Sequence, residues 1–519
     1  MSNDQPSALS THNPDLFLAI DQGGQSTRVA IYTGSGEHIC SYSAACATQH
    51  HQVENSPYPH IEQNGEEILA GIRTCLQKIQ LQLGADVKRI KAASFAGQGS
   101  SLLCWNNQTG EAVTPVLSWQ DIRGEPYLHQ TSLTNEQVQK LTGLRLSPHY
   151  GASKMRWCLD HSEKVAQAQQ HNCLSIGPIV SYIFWHLCAG DKTSLVDPGH
   201  AQRTLLWNLQ RNDWDQMLLD AFQIPREILP HCRYHNSHFG SFSLGDHNIP
   251  FTASARDQGA SLFARGLPEA SSVYINIGTG AFIQRLSESL HAPDGLLVSP
   301  LWLPENTAVI NEQIEVASPT CYAEEFECTK VKKSLYAWEA TVNGAASAIS
   351  FMQQQTGLQI TPQEIDSALG LSPTGDCYFL NAVGGLSAPY WRTDLESQFS
   401  NNLSPNEKVL AWIESVIFQI VINVQLMNQL GATEKIIISG GFSKSNSVCQ
   451  KIADLTQANV HRSDNADATV QGAACMAAGL PQSWSPVVNE EVFEPQQNPA
   501  LKKRFVKWHW AMGEWLNQA

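Results

Sequence analysis

The sequence predicts an α/β protein that is built from two domains. Its 519 residues exceed what a single hydrophobic core usually organises. Segments with helical and strand-like patterns alternate, which predicts parallel sheets with helices packed against them. A pattern of strand, glycine turn and strand occurs twice, near residue 16 and near residue 273. We therefore expect four parts along the chain: a flexible tail at 1–14, a first domain at 15–265, a second domain at 266–482 and an extension at 483–519.

The composition predicts a soluble protein of the cytoplasm. Hydrophobic residues make up 42% and charged residues 16% of the chain, which argues against a disordered protein. The net charge of −15 argues against nucleic acid or an anionic membrane as a partner, because both need a basic surface. The 13 cysteines include no C-x-x-C pair, and Met1–Pro14 lacks the apolar core of a signal peptide. The most apolar helix candidate, Ala411–Leu430, is interrupted by polar residues, so we expect no membrane span.

The first hairpin, Leu16 to Tyr32, carries residue types that phosphoryl transfer requires. An apolar strand leads into Asp21, a glycine turn follows, and Arg28 stands in the second strand. Backbone N–H groups of such a turn can face phosphate oxygens, and a carboxylate beside them can hold Mg²⁺. An ordinary β-hairpin with glycine in its turn is the far commoner alternative. The motif therefore needs support from other parts of the chain.

Further elements follow in order. The spacing of apolar residues predicts a helix at Glu66–Leu83, and a strand follows around Ile90–Ala96. Glycine and proline break the chain at Gly266–Pro268, close to the expected domain boundary. A fresh strand then opens the second hairpin, Val273–Arg285.

The second domain closes with a helix, a strand and a tight turn. Apolar residues from Ile413 to Met427 form a helical stripe, which we interpret as core rather than as a cofactor site. The segment Lys435–Ser439 reads as a strand that runs into Gly440-Gly441. The basic and aromatic stretch Lys502–Trp515 predicts an amphipathic helix docked on the second domain, with a partner-binding surface as the alternative.

Four pieces of this chain can carry phosphoryl chemistry, and they stand in one order: Asp21 with its turn, Asp257, the turn Gly278-Thr279-Gly280, and Gly440-Gly441. No Walker loop is present, and the second hairpin runs into a strand rather than a helix, which disfavours a dinucleotide fold. Two phosphate hairpins on two domains, with an acid between them, is the layout of the actin-like fold. The predicted fold class is therefore α/β, with two actin-like (ribonuclease H-like) ATPase domains flanking a catalytic cleft.

Over roughly Leu16–Leu480, the chain resembles the FGGY carbohydrate kinases, the family that includes glycerol kinase and xylulokinase. Separate segments carry the resemblance in the family's order: Asp21-Gln22-Gly23 with Ser26-Thr27-Arg28, Trp119-Gln120-Asp121-Ile122-Arg123, Lys154-Met155-Arg156-Trp157, Asp257-Gln258, Gly278-Thr279-Gly280, Gly385–Trp391 and Gly440–Ser445. Any one of these segments could match by chance, but their shared order is specific to the family.

The resemblance implies a cytoplasmic enzyme that phosphorylates a small sugar or polyol with ATP and Mg²⁺. In such a kinase Asp257 is the general base that takes the hydroxyl proton, and Asp21 holds Mg²⁺, in part through water. The residues implied to bind ATP are Gly23, Ser26, Thr27, Arg28, Gly278, Thr279, Gly280, Gly440, Gly441 and Ser445. Without the flanking motifs, Asp257 would read as a helix N-cap or a surface acid.

The acceptor site departs from the glycerol kinase pattern. Glycerol kinases carry an Arg-Glu pair after the glutamine that matches Gln98, and this chain has Gly99 and Ser100 there. Loss of a charge-assisted grip should weaken glycerol binding, and small residues should leave room for a longer substrate. We therefore expect a ketose or sugar alcohol, with glycerol as the alternative. The candidate acceptor-binding residues are Gln98, Trp119 as a stacking wall, Asp121, His149, Asp257 and Gln258.

Other functions of the same fold stay open at this stage. Gly24 and Gln25 stand where the family prefers two hydroxyl residues, which leaves a catalytically weakened sugar or nucleotide sensor as an alternative. An actin-like filament or chaperone ATPase is a third, which the segment around Trp119 disfavours. A homodimer is compatible with the sequence.

Overall fold

The computed structural model describes residues 14–54, 56–190, 192–305, 331–373, 375–463 and 467–518. All but the last residue of the predicted tail, 1–13, lies outside the described residues. The described chain forms two large sheets with helices packed against them, as the alternating pattern predicted.

Six strands form the first sheet, in the spatial order β5-β6-β4-β1-β2-β3. In chain order they are β1 (Leu16–Gln22), β2 (Ser26–Thr33), β3 (His38–Ala45), β4 (Ile90–Gly97), β5 (Ser241–Leu244) and β6 (His247–Arg256). Strand β4 pairs in parallel with both β1 and β6, so the carboxyl ends of these three strands lie at one edge of the sheet. That edge brings together Asp21, Gln98 and Asp257, which are far apart in the sequence.

Seven strands form the second sheet, in the spatial order β9-β10-β8-β7-β11-β12-β13. In chain order they are β7 (Ser272–Ile277), β8 (Ala281–Ser287), β9 (Leu297–Trp302), β10 (Leu335–Val342), β11 (Lys435–Ser439), β12 (Asn459–Ser463) and β13 (Glu490–Phe493). The second predicted hairpin is confirmed as β7 and β8. Because β7 and β11 are parallel, the turn after β7 and the Gly440 turn after β11 share one edge.

Seven helices matter for the site and the domain contacts: α1 (Gly65–Leu83), α2 (Gly151–His161), α3 (Asp257–Ser261), α4 (Pro405–Met427), α5 (Asn446–Thr456), α6 (Ala468–Ala477) and α7 (Pro499–Gln518). Shorter helices cover Glu125–Gln130, Asn135–Thr142, Glu163–Gln170, Ile179–Leu187, Pro198–Gln202, Gln216–Phe222, Ile349–Thr356 and Pro362–Leu369.

A smaller sheet is inserted in the first half of the chain, with strands Gln49–His51, His60–Gln63, Val116–Leu117, Leu102–Asn106 and Leu174–Pro178. Three short strand pairs complete the described elements: Leu195–Val196 with His231–Cys232, Trp207–Asn208 with Asp213–Trp214, and Phe379–Leu380 with Gln398–Phe399.

Helix α4 is the core helix of the second half, as its apolar stripe predicted. Ser404 and Glu407 form a capping box at its start, and Pro405 occupies the first turn, where its missing N–H costs nothing. Within the described part of the chain, this helix with its continuation to Leu430 is the one segment long and apolar enough to cross a membrane. Its most apolar stretch is 89% buried inside the protein, so it belongs to the core.

Helix α6 joins the two halves. It comes late in the chain, yet it packs on the first sheet and crosses α3 at Gly472. A Cβ atom at Gly472 would lie 1.8 Å from the carbonyl oxygen of Ala260, so only glycine permits this crossing. The Ser94 hydroxyl of β4 donates to the carbonyl of Ala473 over 2.6 Å. The position of α3, and with it of Asp257, therefore depends on a helix that arrives more than 200 residues later.

The C-terminal helix α7 docks through aromatic and charged contacts. The Trp508 indole N–H donates to the carbonyl of Phe379 over 3.0 Å. Arg504 pairs with Glu414 of α4, which is buried and also binds Lys451 of α5. The amphipathic helix expected at this end of the chain is thus present and anchored on α4 and α5.

Candidate active site

The turn of the first hairpin supplies the first group of candidate ATP ligands. The Gly23 N–H donates to the carbonyl of Ser26 over 2.9 Å and closes the turn. Thr27 is buried, and no described residue bonds its hydroxyl. The guanidinium of Arg28 forms a salt bridge with Asp467 at the start of α6. Because a protein carboxylate already balances this charge, Arg28 is a weaker candidate for a phosphate ligand than the sequence suggested.

The unusual residues of this turn are accommodated without crowding. The carbonyl of Gly24 accepts hydrogen bonds from the Thr48 hydroxyl at 2.6 Å and the Gln63 amide at 2.9 Å. The side chain of Gln25 is exposed. The backbone of the turn is therefore held in place, although the expected hydroxyl side chains are absent.

Asp21 presents a carboxylate that no described residue supports with a hydrogen bond. Burial and, to a smaller extent, the neighbouring Asp257 raise its pKa to about 7 against the opposing effect of Arg28. A cation placed beside Asp21 would stabilise its charged form and remove this electrostatic cost. The environment of Asp21 is thus suited to a metal ion.

Asp257 begins α3, directly after the last residue of β6. Its Oδ1 atom accepts the N–H of Gln258 over 2.7 Å. Burial raises the pKa of Asp257, while the Gln258 N–H and the positive charge of Arg256 lower it. The charge of Asp257 also raises the pKa of Asp21, so these two predicted site residues are close enough to interact electrostatically.

The turn of the second hairpin packs closely against neighbouring backbone at Gly280. The Gly278 N–H donates to the carbonyl of Gly280 over 2.8 Å. A Cβ atom at Gly280 would lie 2.7 Å from the carbonyl oxygen of Val342. The carbonyls of Gly278 and Thr279 accept from the amides of residues 346–347 at 3.2 and 3.0 Å, and the Thr279 side chain is exposed.

The Gly440 turn lies against the second hairpin. Gly440 has φ of +94°, and a Cβ atom there would lie 2.4 Å from the carbonyl oxygen of Ile277. Gly441 is exposed with open space around its Cα. The Ser445 hydroxyl caps α5 and donates to Asp366 over 2.6 Å, so this predicted ATP ligand has a structural role for its side chain.

A cavity of about 950 Å³ lies between α3 and the second sheet. Gln258 and Ser261 of α3 line one side of it, and Asn276, Gln284 and Gly440 of the second sheet line another. The residue next to Asp257 and the Gly440 turn therefore border the same space. Its size is that of a typical ligand-binding cleft.

Gln98 lies next to the site but is occupied by protein partners. Its amide nitrogen donates to Gln22 at 3.0 Å and Gln63 at 2.7 Å, and its oxygen accepts from the Ser101 hydroxyl at 2.8 Å. The side chain is 2% exposed. The side chain of Gln98 thus supports the first hairpin, which Gln63 contacts at Gly24, and its role as a substrate ligand stays a prediction.

Asp121, also a predicted substrate ligand, has protein partners as well. It is fully buried, and it accepts the Ile61 N–H over 2.7 Å. Arg123 donates to both of its carboxylate oxygens at 2.6 to 3.0 Å and extends to Glu62. Both carboxylate oxygens of Asp121 are therefore engaged by protein donors, and charge-assisted hydrogen bonds of this kind are strong in a buried environment.

Trp119 and His149 stay available at the predicted acceptor side. The indole of Trp119 is 39% exposed and lies near the first hairpin, since a Cβ atom at Gly24 would be 3.8 Å from its Nε1. The Nδ1 atom of His149 lies 3.2 Å from the Trp119 carbonyl, and its ring is exposed. The structure therefore brings these two candidates together.

A buried ion cluster beside Asp257 was not foreseen from the sequence. Glu339 of β10 binds Arg256 through Oε1 at 2.7 Å and Arg203 through Oε2. The amide of Gln284 donates to the same Oε1 over 2.8 Å. Both arginines lie on the side of the first sheet, and both polar partners lie on the second, so the cluster joins the two sheets.

The cluster holds Glu339 in its charged form. Burial alone raises the pKa of Glu339, but Arg203 and Arg256 more than offset this effect and keep it well below its usual range. The guanidinium of Arg203 also stacks over the ring of Tyr150 at 5.7 Å. A weak sequence signal existed, because Arg256 directly precedes Asp257, but its partner is 83 residues away.

The space that Gly99 was expected to leave open is filled by this cluster. A Cβ atom at Gly99 would lie 3.0 Å from Cδ of Arg256 and 3.1 Å from Cγ of Arg203. The predicted room for a longer substrate at this position is therefore absent.

A second buried network supports the strand that leads to Asp257. Asp197 binds the Nδ1 of His200 and the hydroxyl of Ser254, each at 2.6 Å. Burial raises the pKa of Asp197, but His200 and its other partners lower it well below the usual range. Because Ser254 bonds the aspartate rather than the histidine, this is not the arrangement of a serine nucleophile.

The donor set fits a magnesium ion that is held mainly by water and phosphate oxygens. Over the described ranges, no group of three or more histidine, cysteine, aspartate or glutamate side chains is arranged to hold a metal. Mg²⁺ commonly takes one or two carboxylates and completes its shell with water and substrate phosphates. Asp21, unsupported and with a raised pKa, is the residue that suits this role.

Two family models match the chain. The N-terminal domain of the FGGY family of carbohydrate kinases matches residues 16–264, and the C-terminal domain of the same family matches residues 273–479. Together they cover most of the chain.

Curated relatives and solved structures agree with these matches. The chain is 27% identical to a glycerol kinase of Geobacter sp. (strain M21), over 94% of this chain and 96% of that protein. The glycerol kinase of Plasmodium falciparum, solved with ADP, superposes with a TM-score of 0.79 at 22% identity and covers 97% of this chain and 98% of its own. The ligand-bound xylulose kinase of Lactobacillus acidophilus gives a TM-score of 0.76 at 20% identity, with 97% and 98% coverage.

Proposed function

Since this chain belongs to the FGGY family of carbohydrate kinases, we propose that it transfers the γ-phosphate of ATP to a hydroxyl of glycerol or of a polyol of similar size. The observation that carries the proposal is the pairing of Asp21 and Asp257 at one sheet edge, beside a cavity that also borders the Gly440 turn. These are the positions that a cation, a base and a nucleotide need in phosphoryl transfer.

Asp257 is the proposed general base. It takes the proton of the acceptor hydroxyl as the oxygen attacks the γ-phosphorus. Its raised pKa makes it a stronger base than an exposed aspartate, provided that the pH is high enough to keep it charged. The Gln258 N–H at 2.7 Å fixes the orientation of the carboxylate.

Asp21 and the glycine turns form the proposed ATP side. Mg²⁺ held near Asp21 would neutralise charge on the phosphate oxygens during transfer. The turn at Gly278–Gly280 offers backbone that can approach phosphates closely, and Gly440 and Gly441 leave room for the rest of the nucleotide. The turn at Gly23 completes this side from the first sheet.

Glycerol is the acceptor that the comparisons support better than a longer sugar. The curated relatives at 27 to 28% identity carry the name glycerol kinase. The arginine stems beside Gly99 also remove the room that favoured a longer substrate, and they bring charged groups next to the proposed base. Trp119 and His149 would line the acceptor pocket on its open side.

A ketose or sugar alcohol is the second candidate. Gly99 and Ser100 still lack the side chains by which the glycerol kinase pattern grips vicinal hydroxyls. A xylulose kinase also shares the fold over nearly the whole chain. Both observations bear on the acceptor alone and leave the reaction type unchanged.

The test is acceptor-dependent ADP release by the purified full-length protein. A panel of glycerol, erythritol, xylitol, xylulose and ribulose is assayed with ATP and Mg²⁺, with D257N as the background control. We expect the highest kcat/KM for glycerol and no acceptor-dependent release by D257N. A preference for a five-carbon acceptor would instead support the second candidate. Absence of release with every acceptor, while ADP still binds, would contradict the kinase proposal and favour a sensor.

A further inference from the structure

Lys154 of α2 is a buried amine with an unusual set of partners. Its side chain is fully buried, and its Nζ atom donates to three backbone carbonyls, those of Ser100 at 2.9 Å, Ser118 at 2.9 Å and His149 at 3.0 Å. Within the described part of the chain, no carboxylate forms a salt bridge with it. A buried lysine normally requires such a partner, so these three bonds need an explanation.

The three carbonyls belong to the three segments that form the acceptor side. Ser100 follows Gln98 and Gly99, Ser118 precedes Trp119, and His149 is itself an acceptor candidate. The third segment also leads into Tyr150, on which Arg203 stacks. Other side chains join these segments only in pairs: the Ser101 hydroxyl accepts the Trp119 N–H, and the His149 ring contacts the Trp119 carbonyl. Among the described hydrogen bonds, Lys154 alone reaches all three.

The second of these segments, which contains Ser118 and Trp119, continues to Gly124, where it packs closely against the backbone of α2. A Cβ atom at Gly124 would lie 2.8 Å from the backbone nitrogen of Lys154 and 2.5 Å from the carbonyl carbon of Ser153. The segment can therefore approach the helix only because residue 124 is glycine. Lys154 stands where all three segments converge.

We propose that Lys154 is the positioning residue of the acceptor pocket: its ammonium sets the spacing of the three segments and thereby the affinity for the acceptor, without touching either substrate. This inference rests on the proposed kinase function. It assigns a role to the Lys154–Trp157 motif, which the catalytic groups leave unexplained. A displacement of about 1 Å at a substrate contact can cost a factor on the order of 10² in an enzyme, so the spacing matters.

The charge of Lys154 depends on pH near neutrality. Its pKa is lowered to about 7, chiefly by burial and also by Arg123, while Asp121 and Cys158 on the same helix oppose the shift. His149 faces it from the third segment, and the 98–101 segment contributes no titratable group. As pH rises through this pKa, the ammonium loses a proton and keeps two N–H groups for three carbonyls. Acceptor binding favours the charged form, so the KM for the acceptor should rise with pH.

The experiment compares acceptor KM and ATP KM in the wild type and in K154M between pH 6 and pH 9. We expect K154M to raise the acceptor KM about 10-fold or more at pH 6, with little change in the ATP KM. In the wild type the acceptor KM should climb several-fold toward pH 9, and in K154M it should stay flat. K451M is the matched control, because Lys451 is also a buried lysine but lies in α5 and binds Glu414. Its acceptor KM should follow the wild type.

A second variant and a second measurement keep the inference testable. K154Q retains two N–H donors without charge, so it should show an intermediate acceptor KM that does not vary with pH. Amide hydrogen exchange needs no turnover. It should be faster at residues 98–101, 118–121 and 147–150 in K154M and K154Q than in the wild type or K451M.

The outcomes separate this inference from the proposed function. A pH-independent acceptor KM in the wild type, or unchanged KM and exchange in a folded Lys154 variant, would overturn the role of Lys154. If no acceptor is phosphorylated by any protein, the proposed function fails, and the exchange at the three segments alone decides whether Lys154 holds them.

Discussion

The two sides of the cleft are built in different ways. The nucleotide side consists of short turns at strand ends, where glycine backbone at positions such as 280 and 440 approaches other backbone within van der Waals distance. The acceptor side consists of side chains from distant segments, held by Lys154 and by the Arg203–Glu339–Arg256 cluster. A backbone site tolerates little change in main-chain shape, whereas a side-chain site can change its chemistry by substitution. The difference predicts that substitutions alter the proposed acceptor side more readily than the proposed nucleotide side.

The largest expected effect comes from substitution of Asp257, the proposed base that takes the proton of the acceptor hydroxyl. D257N should lower kcat by a factor of about 10² to 10⁴, because the base is lost while its shape is kept. The affinity for ADP and the unfolding midpoint should stay close to wild type. A D257N protein with more than a tenth of wild-type kcat would show that another group accepts the proton.

The next largest effect should come from the charge cluster on the acceptor side. E339Q leaves two buried guanidinium groups without a carboxylate, which should destabilise the protein by about 3 to 5 kcal/mol in denaturant unfolding. E414Q is the matched control, since Glu414 is also buried between two cations, Lys451 and Arg504. Both variants should lose stability, but only E339Q should alter acceptor kinetics.

The same pair of variants gives a pH test. Burial raises the pKa of Asp257, so kcat/KM should fall as the pH drops through that raised value. In E339Q the freed guanidinium of Arg256 favours the charged form of Asp257 and should move this acid limb to lower pH. An identical shift in E414Q would show that the limb reports loss of stability instead of the local charge.

A smaller effect, confined to the nucleotide side, should follow from G440A. The new Cβ atom would lie 2.4 Å from the Ile277 carbonyl oxygen in a backbone with φ of +94°, so the turn must shift. We expect a loss of about 1 to 3 kcal/mol in stability and a higher ATP KM, with the acceptor KM little changed. G441A, where the added methyl group meets open space, should behave like the wild type. Equal effects of G440A on the ATP KM and the acceptor KM would contradict the division of the cleft into a nucleotide side and an acceptor side.

The smallest effect should follow from G99A on the acceptor side. Its Cβ atom would press on flexible arginine stems at 3.0 and 3.1 Å, which can yield, so stability should change by under about 1 kcal/mol. The acceptor KM should rise a few-fold because Arg256 moves, and the ATP KM should not change. An unchanged acceptor KM would mean that Arg256 does not help to shape the acceptor pocket.

The sequence by itself determined the fold and the nucleotide side. Strand β1, the second hairpin, helix α4 and the Gly440 turn were all predicted, since apolar periodicity and glycine turns are local signals. Asp21 was singled out because it stands near the end of a recognisable strand, and Asp257 because its segment resembles the family's catalytic element.

Only the tertiary structure decided the acceptor side. Gln98 and Asp121 carry suitable side chains, yet buried partners such as Gln63 and Arg123 occupy them. Gly99 suggested open space, and Arg256 fills it from 157 residues away. Whether a polar side chain is free or satisfied depends on contacts between segments that no local pattern encodes. The backbone of the cleft can therefore be predicted from the sequence. The packing of the two sheets decides which polar side chains of the cleft are free and which are already hydrogen-bonded.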